Sequence, residues 1–435
     1  MIQAGFARVD ITPPLGSPMS GYFYKRFAEG VLDPLSVNAL AFGNGAQTAV
    51  ILSADIAGMT ENYADEVRAL VEQRTGVPAV YVMICALHQH TSVCVAPNGN
   101  HDAIKDSVYL HMLYRKMADA AVMAVKDMSE AEVSVAAEQT AEQIAFVRRY
   151  VMPDGTVATN PSRRGPLPVR PCDEPDNTVR LIRFKREGKK DIAYVNFSTH
   201  PDVISGSKLS ADWLGFTRRF VEEDNADVHC ICITGFQGDS NHCDHLTRNE
   251  RTLSREFGYQ HSEHMGRVIA DTVKRIWDHT EVHTGETIFA EKQVVYNKTN
   301  TEGEEEYAAQ KAFYEDYEAG KFEKPPHISL LARAKRIINL RTTALYHAIP
   351  ITVLGLGDLA FVGIGGEPFT YYTYATVALA KGKTVFCSSN SNGYVGYLPH
   401  ERAYSEGGYE TSSTVFTKEL QGQILSTVKD MLEKF

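Results

Sequence analysis

No stretch of this chain is apolar over the ~20 residues that a membrane-crossing helix needs, and no basic amphipathic segment is present to lie on a bilayer surface. The N-terminus, Met1-Ile-Gln-Ala-Gly-Phe-Ala-Arg8, has no charged segment leading into an apolar one. No secretory leader is therefore read, and a cytoplasmic location is expected. Cysteine is sparse: seven residues, an odd number, scattered along the chain. Cys230 and Cys232 fall in one strand and cannot bridge each other, so the pattern is that of a reduced protein. Positive charge is in deficit. The net charge of −10 argues against nucleic acid as a partner. Gly-x-Ser-x-Gly is missing, which removes the serine elbow of the α/β-hydrolases. Gly363-Ile-Gly-Gly366 lacks the context of a dinucleotide fingerprint, and there is no P-loop, so nucleotide chemistry falls away.

What is present suits a large soluble core: 435 residues, 43% hydrophobic and 10% aromatic. Strand and helix patterns alternate without an obvious linker or repeat. The expectation is one α/β unit over residues 1–435, a mixed β-sheet core flanked by helices. A turn-rich Gly/Pro segment is read at the start, then strands at 37–42 and 48–55 and a helix at 61–74. A second helix is expected over 104–128, with Val108, Leu110, Met112, Leu113, Met117, Ala120 and Met123 on its apolar stripe. Further helices are read at 211–224, 255–278 and 412–434. Residues 303–325, Glu-rich with aromatics, read as an exposed helical insertion.

The chemistry sits where apolar runs stop. Val80-Tyr-Val-Met-Ile84 reads as a core strand that leads into His88-Gln-His90. Side chains two apart on an extended chain share a face, so His88 and His90 are expected to point the same way. Asp191-Ile-Ala-Tyr-Val-Asn-Phe197 leads to His200-Pro201, and Leu359-Ala-Phe-Val-Gly-Ile364 leads to Glu367-Pro368. Thr384-Val-Phe-Cys387 opens into a polar segment that ends at Tyr397. Proline favours a strand end because it has no N–H. Four strand ends thus offer two imidazoles, a carboxylate and a phenol to one point, and two His plus a carboxylate is a common ligand set of hydrolytic zinc sites. Two rival clusters, His242-Cys-Asp-His245 and the i, i+3 pair His261/His264, read as ordinary surface polarity on a loop and on a solvated helix face.

These segments carry a resemblance to the catalytic domain of the neutral/alkaline non-lysosomal ceramidases, zinc amidases that hydrolyse N-acyl sphingosine. It runs from Ala4-Gly-Phe-Ala-Arg-Val-Asp-Ile-Thr-Pro-Pro14 through His88-Gln-His90-Thr-Ser92, His200-Pro201 and Gly366-Glu-Pro-Phe-Thr370 to Ser391-Asn-Gly-Tyr-Val-Gly-Tyr397 and Gly408-Tyr409-Glu410. The resemblance implies zinc held by His88, His200, Glu367 and Tyr397. It implies His90 near the reacting group, Tyr409 twelve residues beyond the ligand tyrosine, and an arginine beside the substrate carbonyl that falls on Arg148, with Arg149 adjacent. Three departures stand out. Neither the family's leader nor its C-terminal immunoglobulin-like domain is expected here. Its Gly-Asp-x-Ser-Pro motif is Gly238-Asp-Ser-Asn-His242 here, which puts Asn241 at the serine position and Ser240 one early. Thr91-Ser-Val-Cys94 lacks the family's Gly-rich continuation.

The expectation is therefore a zinc-dependent hydrolase of an amide bond that uses metal-activated water, on a small-molecule substrate other than ceramide. In this reading His90 works on protons and is not a ligand, Arg148 and Tyr409 stabilise developing charge, and Asn241 donates a hydrogen bond but is no nucleophile. An esterase or lactonase acting on a polar, sugar-like substrate is the alternative. A non-catalytic metal- or ligand-binding protein is a third reading.

Overall fold

The computed structural model describes residues 1–93, 95, 107–301 and 303–435. Strands build two sheets packed face to face. The larger, nine-stranded sheet runs Val228–Thr234, Asp191–Phe197, Thr178–Arg186, Ser129–Gln139, Gln3–Asp10, Ser36–Gly43, Thr48–Ala54, Val82–Ala86, with Glu281–His283 paired to Ser129–Gln139 off this path. The four-stranded sheet runs Ile288–Lys298, Tyr346–Leu356, Leu359–Ile364, Thr384–Ser388. Both are mixed. Parallel pairs form between Thr48–Ala54 and Val82–Ala86, between Asp191–Phe197 and Val228–Thr234, and between Leu359–Ile364 and Thr384–Ser388. Parallel pairing needs a long crossover. Each pair has a helix in its connection: Glu61–Thr75, Asp212–Asp224 and Tyr371–Leu379.

Alternation along the strands explains the layers. In Thr48–Ala54, Ala49 and Ile51 join the core shared with the small sheet, while Val50, Leu52 and Ala54 face the helix side. A strand buried on both faces reads as a near-continuous apolar run, here Ala49-Val-Ile-Leu52. Between the sheets, the Phe361 ring lies 5.4 Å from both Phe42 and Tyr194 and 5.6 Å from Phe386. The outer face of the small sheet is covered by Leu420, Ile424, Val428, Met431 and Leu432 of helix Leu420–Lys434. The result is four layers: helices, sheet, sheet, helices.

Several elements differ from the sequence reading. Gln3–Asp10 is an interior strand of the large sheet, not a turn, and pairs along its length with Ser36–Gly43. The second helix spans Ser107–Lys126, and residues 104–106 and Cys94 lie outside the described residues. Its buried stripe is Leu110, Leu113, Met117, Ala120, Ala121 and Ala124, while Val108, Met112 and Met123 are exposed. Helix Glu304–Glu318 buries none of its residues and packs with a second helix, Ile328–Leu340, that the sequence reading did not separate. The closing helix is two, Tyr409–Ser413 and Leu420–Lys434. Among the described residues, no helix is long and apolar enough to cross a membrane.

Segment 389–392 stitches the sheets together at their common edge. Asn392 Oδ1 accepts from the Ile84 amide (2.9 Å), and its Nδ2 donates to Thr352 Oγ1 (3.0 Å). The residue is buried and sits at φ 55°, in the left-handed region that asparagine tolerates. Asn392→Ala strands a buried amide and strains the backbone. The expected loss is about 2–4 kcal/mol of unfolding free energy in a urea titration; a loss below about 0.5 kcal/mol would show that this stitch is dispensable.

Candidate metal centre and active site

The loops that leave the C-terminal ends of the parallel strands gather at one edge of the molecule, the usual place for a site in an α/β sheet. His88 follows Val82–Ala86, His200 follows Asp191–Phe197, Glu367 follows Leu359–Ile364, and Tyr397 lies beyond Thr384–Ser388. Glu367 and Tyr397 are register partners in a two-residue parallel bridge. The imidazoles and the carboxylate meet: Glu367 Oε2 is 3.2 Å from His200 Nε2 and 3.4 Å from His88 Nε2. The His90 ring stands 5.1 Å from that of His88 and 5.7 Å from that of His200.

Both ligand-type histidines are held by their other nitrogen. His88 Nδ1 lies 2.5 Å from the Ala57 carbonyl oxygen, and His200 Nδ1 lies 2.9 Å from that of Gln237. A carbonyl can only accept, so Nδ1 carries the proton and Nε2 presents a lone pair. Two imidazole lone pairs then face a carboxylate oxygen. Glu367 Oε2 and His200 Nε2 are buried without a hydrogen-bond partner. Such a set needs a positive charge, either on His88, where burial lowers the pKa but Glu367 outweighs it and raises it, or on a bound ion, and its donor atoms suit a divalent cation.

His88 and His90 do not share the face of an extended strand. The strand ends at Ala86, and His88 has φ 72°. The two rings are brought together by a turn in the loop, not by strand alternation. His90 is also closer to the ligand set than the sequence reading had it: ring nitrogens of His88, His90 and His200 lie within 4.8 Å of one another. Gly238 is required here. A Cβ at that position would fall 2.2 Å from the Glu367 carbonyl oxygen.

Cations and phenols flank the centre. Arg148, not Arg149, faces it. Arg148 Nε donates to Glu410 (2.6 Å), Nη2 donates to the Gly238 carbonyl (2.8 Å), and the guanidinium lies 5.1 Å from the Tyr397 ring centroid. Arg149 turns to Glu406 and the Gly407 carbonyl, a fully buried structural tie. Burial by itself pushes the Glu367 carboxyl up, but positive charge and N–H donation from His88 and His200 when protonated outweigh it and hold it well below the usual carboxylate range; a cation on the two Nε2 atoms would act in the same direction. Burial, then the nearby Arg148 charge, pulls His200 down to about 4. Burial raises the Tyr397 phenol well above its ordinary value, against the lowering pull of Arg148. The Tyr409 ring packs against Tyr397 at 5.6 Å.

Asn241 and Ser240 point to different partners. Asn241 Nδ2 donates to Asn160 Oδ1 (2.7 Å), while its Oδ1 accepts from the Cys243 amide (2.9 Å). The Ser240 hydroxyl donates to the Ser198 carbonyl (3.3 Å). Three further groups at the site had no assigned role from sequence. Tyr394 donates to Glu367 Oε1 (3.2 Å). Asp202 Oδ1 lies 3.3 Å from His90 Nδ1 and accepts from the Tyr22 hydroxyl at 2.5 Å. Tyr394 shares the Gly-bracketed segment with Tyr397, and Asp202 follows His200-Pro201; position was the only signal for either. The two rival histidine clusters do meet, with rings of His242 and His261 5.5 Å apart beside a cavity of about 650 Å³. His261 is buried there, contrary to the solvated face expected of it. Among the described residues, the group of three or more such side chains whose ligand atoms converge is His88, His90 and His200.

No protein-family model matches the chain, and no curated protein matches it. Solved structures do. The crystal structure of neutral ceramidase from Pseudomonas aeruginosa superposes with a TM-score of 0.75 over 99% of this chain and 74% of its own, at 15% identity. A ceramidase structure described as complexed with C2 gives 0.71 over the same shares, at 14% identity. With its two stacked mixed sheets, this chain has a neutral-ceramidase-like fold.

Proposed function

We propose that the protein is a zinc-dependent hydrolase that cleaves the amide bond of a small N-acyl substrate other than ceramide. The observation that carries the reading is the pair of imidazole nitrogens, each fixed by a backbone carbonyl, that meet one buried carboxylate oxygen. His88, His200, Glu367 and the Tyr397 phenol would hold the metal. Zinc bound this way supplies Lewis acidity toward a carbonyl and toward water.

The chain's own groups do the rest. Arg148 keeps its charge at any working pH and, placed beside Tyr397 and Glu410, stabilises negative charge that develops on the substrate oxygen. His90, whose Nδ1 lies 3.3 Å from Asp202 Oδ1, exchanges a proton with the substrate through Nε2. Tyr409 packs on Tyr397 and adds a hydroxyl at the rim. Asn241 braces the turn through Asn160 and Cys243 and offers a remaining amide hydrogen to the oxyanion. Ser240, tied to the Ser198 carbonyl, has no nucleophilic role. An ester or lactone would meet the same groups, so amide, ester and lactone panels assayed side by side decide the bond.

Elemental analysis of purified protein should give near one zinc per chain. His88→Ala and His200→Ala should each lose most of it; full zinc in both variants would remove these residues from the centre. Tyr394→Phe deletes a hydrogen bond to the ligand carboxylate, and zinc affinity in a chelator competition should fall about 10–100-fold. An unchanged affinity would place Tyr394 outside the centre's support.

The proton and oxyanion assignments separate by variant. His90→Ala should cut turnover by roughly 10²–10⁴ with zinc retained; zinc lost in parallel would make His90 a ligand. Asn241→Ala should cost on the order of 10²–10³ in rate, and Ser240→Ala little. An acyl adduct on Ser240, seen by mass spectrometry of enzyme quenched in turnover, would overturn the assignment.

A further inference from the structure

The short hairpin at the N-terminal end of the chain reaches the metal centre. Pro18 and Met19 pair with Phe27 and Arg26, and the tip between them carries Tyr22, Phe23 and Tyr24. Tyr22 sets its ring 5.5 Å from His90, and Phe23 sets its ring 6.1 Å from Tyr409. These two residues are adjacent in the chain, yet they touch opposite sides of the centre. Contacts therefore close into a ring: Phe23 to Tyr409, Tyr409 to Tyr397 at 5.6 Å, the Tyr397–Glu367 bridge, Glu367 to His88, His88 to His90, and His90 to Tyr22.

The closing link is pinned. Arg26 is buried and donates to the Gly206 carbonyl (2.5 Å), to the His90 carbonyl (2.6 Å) and to the Ser20 carbonyl. Its guanidinium lies 4.0 Å from the Tyr22 ring centroid. The Ser20 amide donates to the Ser92 carbonyl (3.1 Å). Gly21, at φ 99°, lies so close to His90 that a Cβ there would fall 2.6 Å from the ring. Lifting the tip would undo all of these contacts together. His200 and Glu367 keep 1% side-chain exposure each, against 11% for His90 and 29% for Asp202 on the Tyr22 side.

We infer that the Tyr22–Phe23 tip is the size-selecting element of the site, and that it favours a short acyl group over a long acyl chain. This rests on the reading of the centre as a zinc site. Along an open apolar path each added methylene would raise affinity about fourfold. Across a closed aromatic collar the same methylenes find no room and cost affinity instead.

The test uses two zinc-chelating probes that differ only in chain length, acetohydroxamate and octanohydroxamate, titrated calorimetrically into the zinc-loaded full chain. The wild type should prefer acetohydroxamate. Phe23→Ala and, independently, Tyr22→Ala should shift the ratio at least about tenfold toward octanohydroxamate. Tyr24→Phe, which keeps the ring stacked on Tyr22 at 5.6 Å, should leave the ratio unchanged. Equal or tighter binding of octanohydroxamate to the wild type would overturn the proposal, as would a ratio that neither collar variant moves, or a zinc-loaded wild type that binds neither probe. A wild type that takes up no zinc would overturn the reading of the centre, and this proposal with it.

Discussion

Two backbone carbonyls set the chemistry of this molecule. The oxygens of Ala57 and Gln237 take the Nδ1 protons of His88 and His200 and leave both Nε2 lone pairs aimed at Glu367 Oε2. Each carbonyl is where it is because a parallel strand pair ends nearby: Ala57 beyond Thr48–Ala54, and Gln237 beyond Val228–Thr234. Without that fixed tautomer, an imidazole N–H could satisfy the carboxylate directly, and the cluster would be an ordinary buried hydrogen-bonded group. With it, the cluster has the donor arrangement that a cation would require. The sheet topology and the metal reading are thus one constraint seen at two scales.

The packing around that constraint is economical. Segment 389–392 joins the two sheets at the same edge, through Asn392 to Ile84 and Thr352, and runs on into Tyr394 and Tyr397. Gly238 approaches Glu367 too closely for any side chain, and Arg148 bonds the Gly238 carbonyl. Structural and chemical roles meet in the same short loops, so substitutions here are expected to mix stability with function. Arg148 and Arg149 show how adjacent residues divide that labour. One guanidinium faces the phenols of the centre, and the other ties loop 406–410 to the short strand Arg149–Val151 through Glu406 and Gly407.

Much of this was legible in the chain because the strands are buried on both faces. An apolar run that must stay apolar makes its first polar residue conspicuous, and Glu367 stands out for that reason; His200 follows Asn196, Ser198 and Thr199 and is marked instead by the proline after it. The mixed sheets and the helices at 61–75 and 212–224 follow from the same periodicity. Gln3–Asp10 was harder to see, because the Gly/Pro turns that follow it dominate the local pattern. Helix Ile328–Leu340 hid behind the Glu-rich helix before it. The left-handed turn at His88 has no periodicity to betray it, and Asp202, Tyr22 and Phe23 reach the centre only through tertiary contacts. Position in a sheet edge is encoded locally. Which loops meet across that edge is not.

The most direct test of the account is zinc K-edge X-ray absorption of the purified protein. The account predicts a first shell of nitrogen and oxygen only, at about 2.0–2.1 Å, with the multiple-scattering pattern of two imidazoles. Sulfur scattering at about 2.3 Å, or a shell without imidazole, would contradict it.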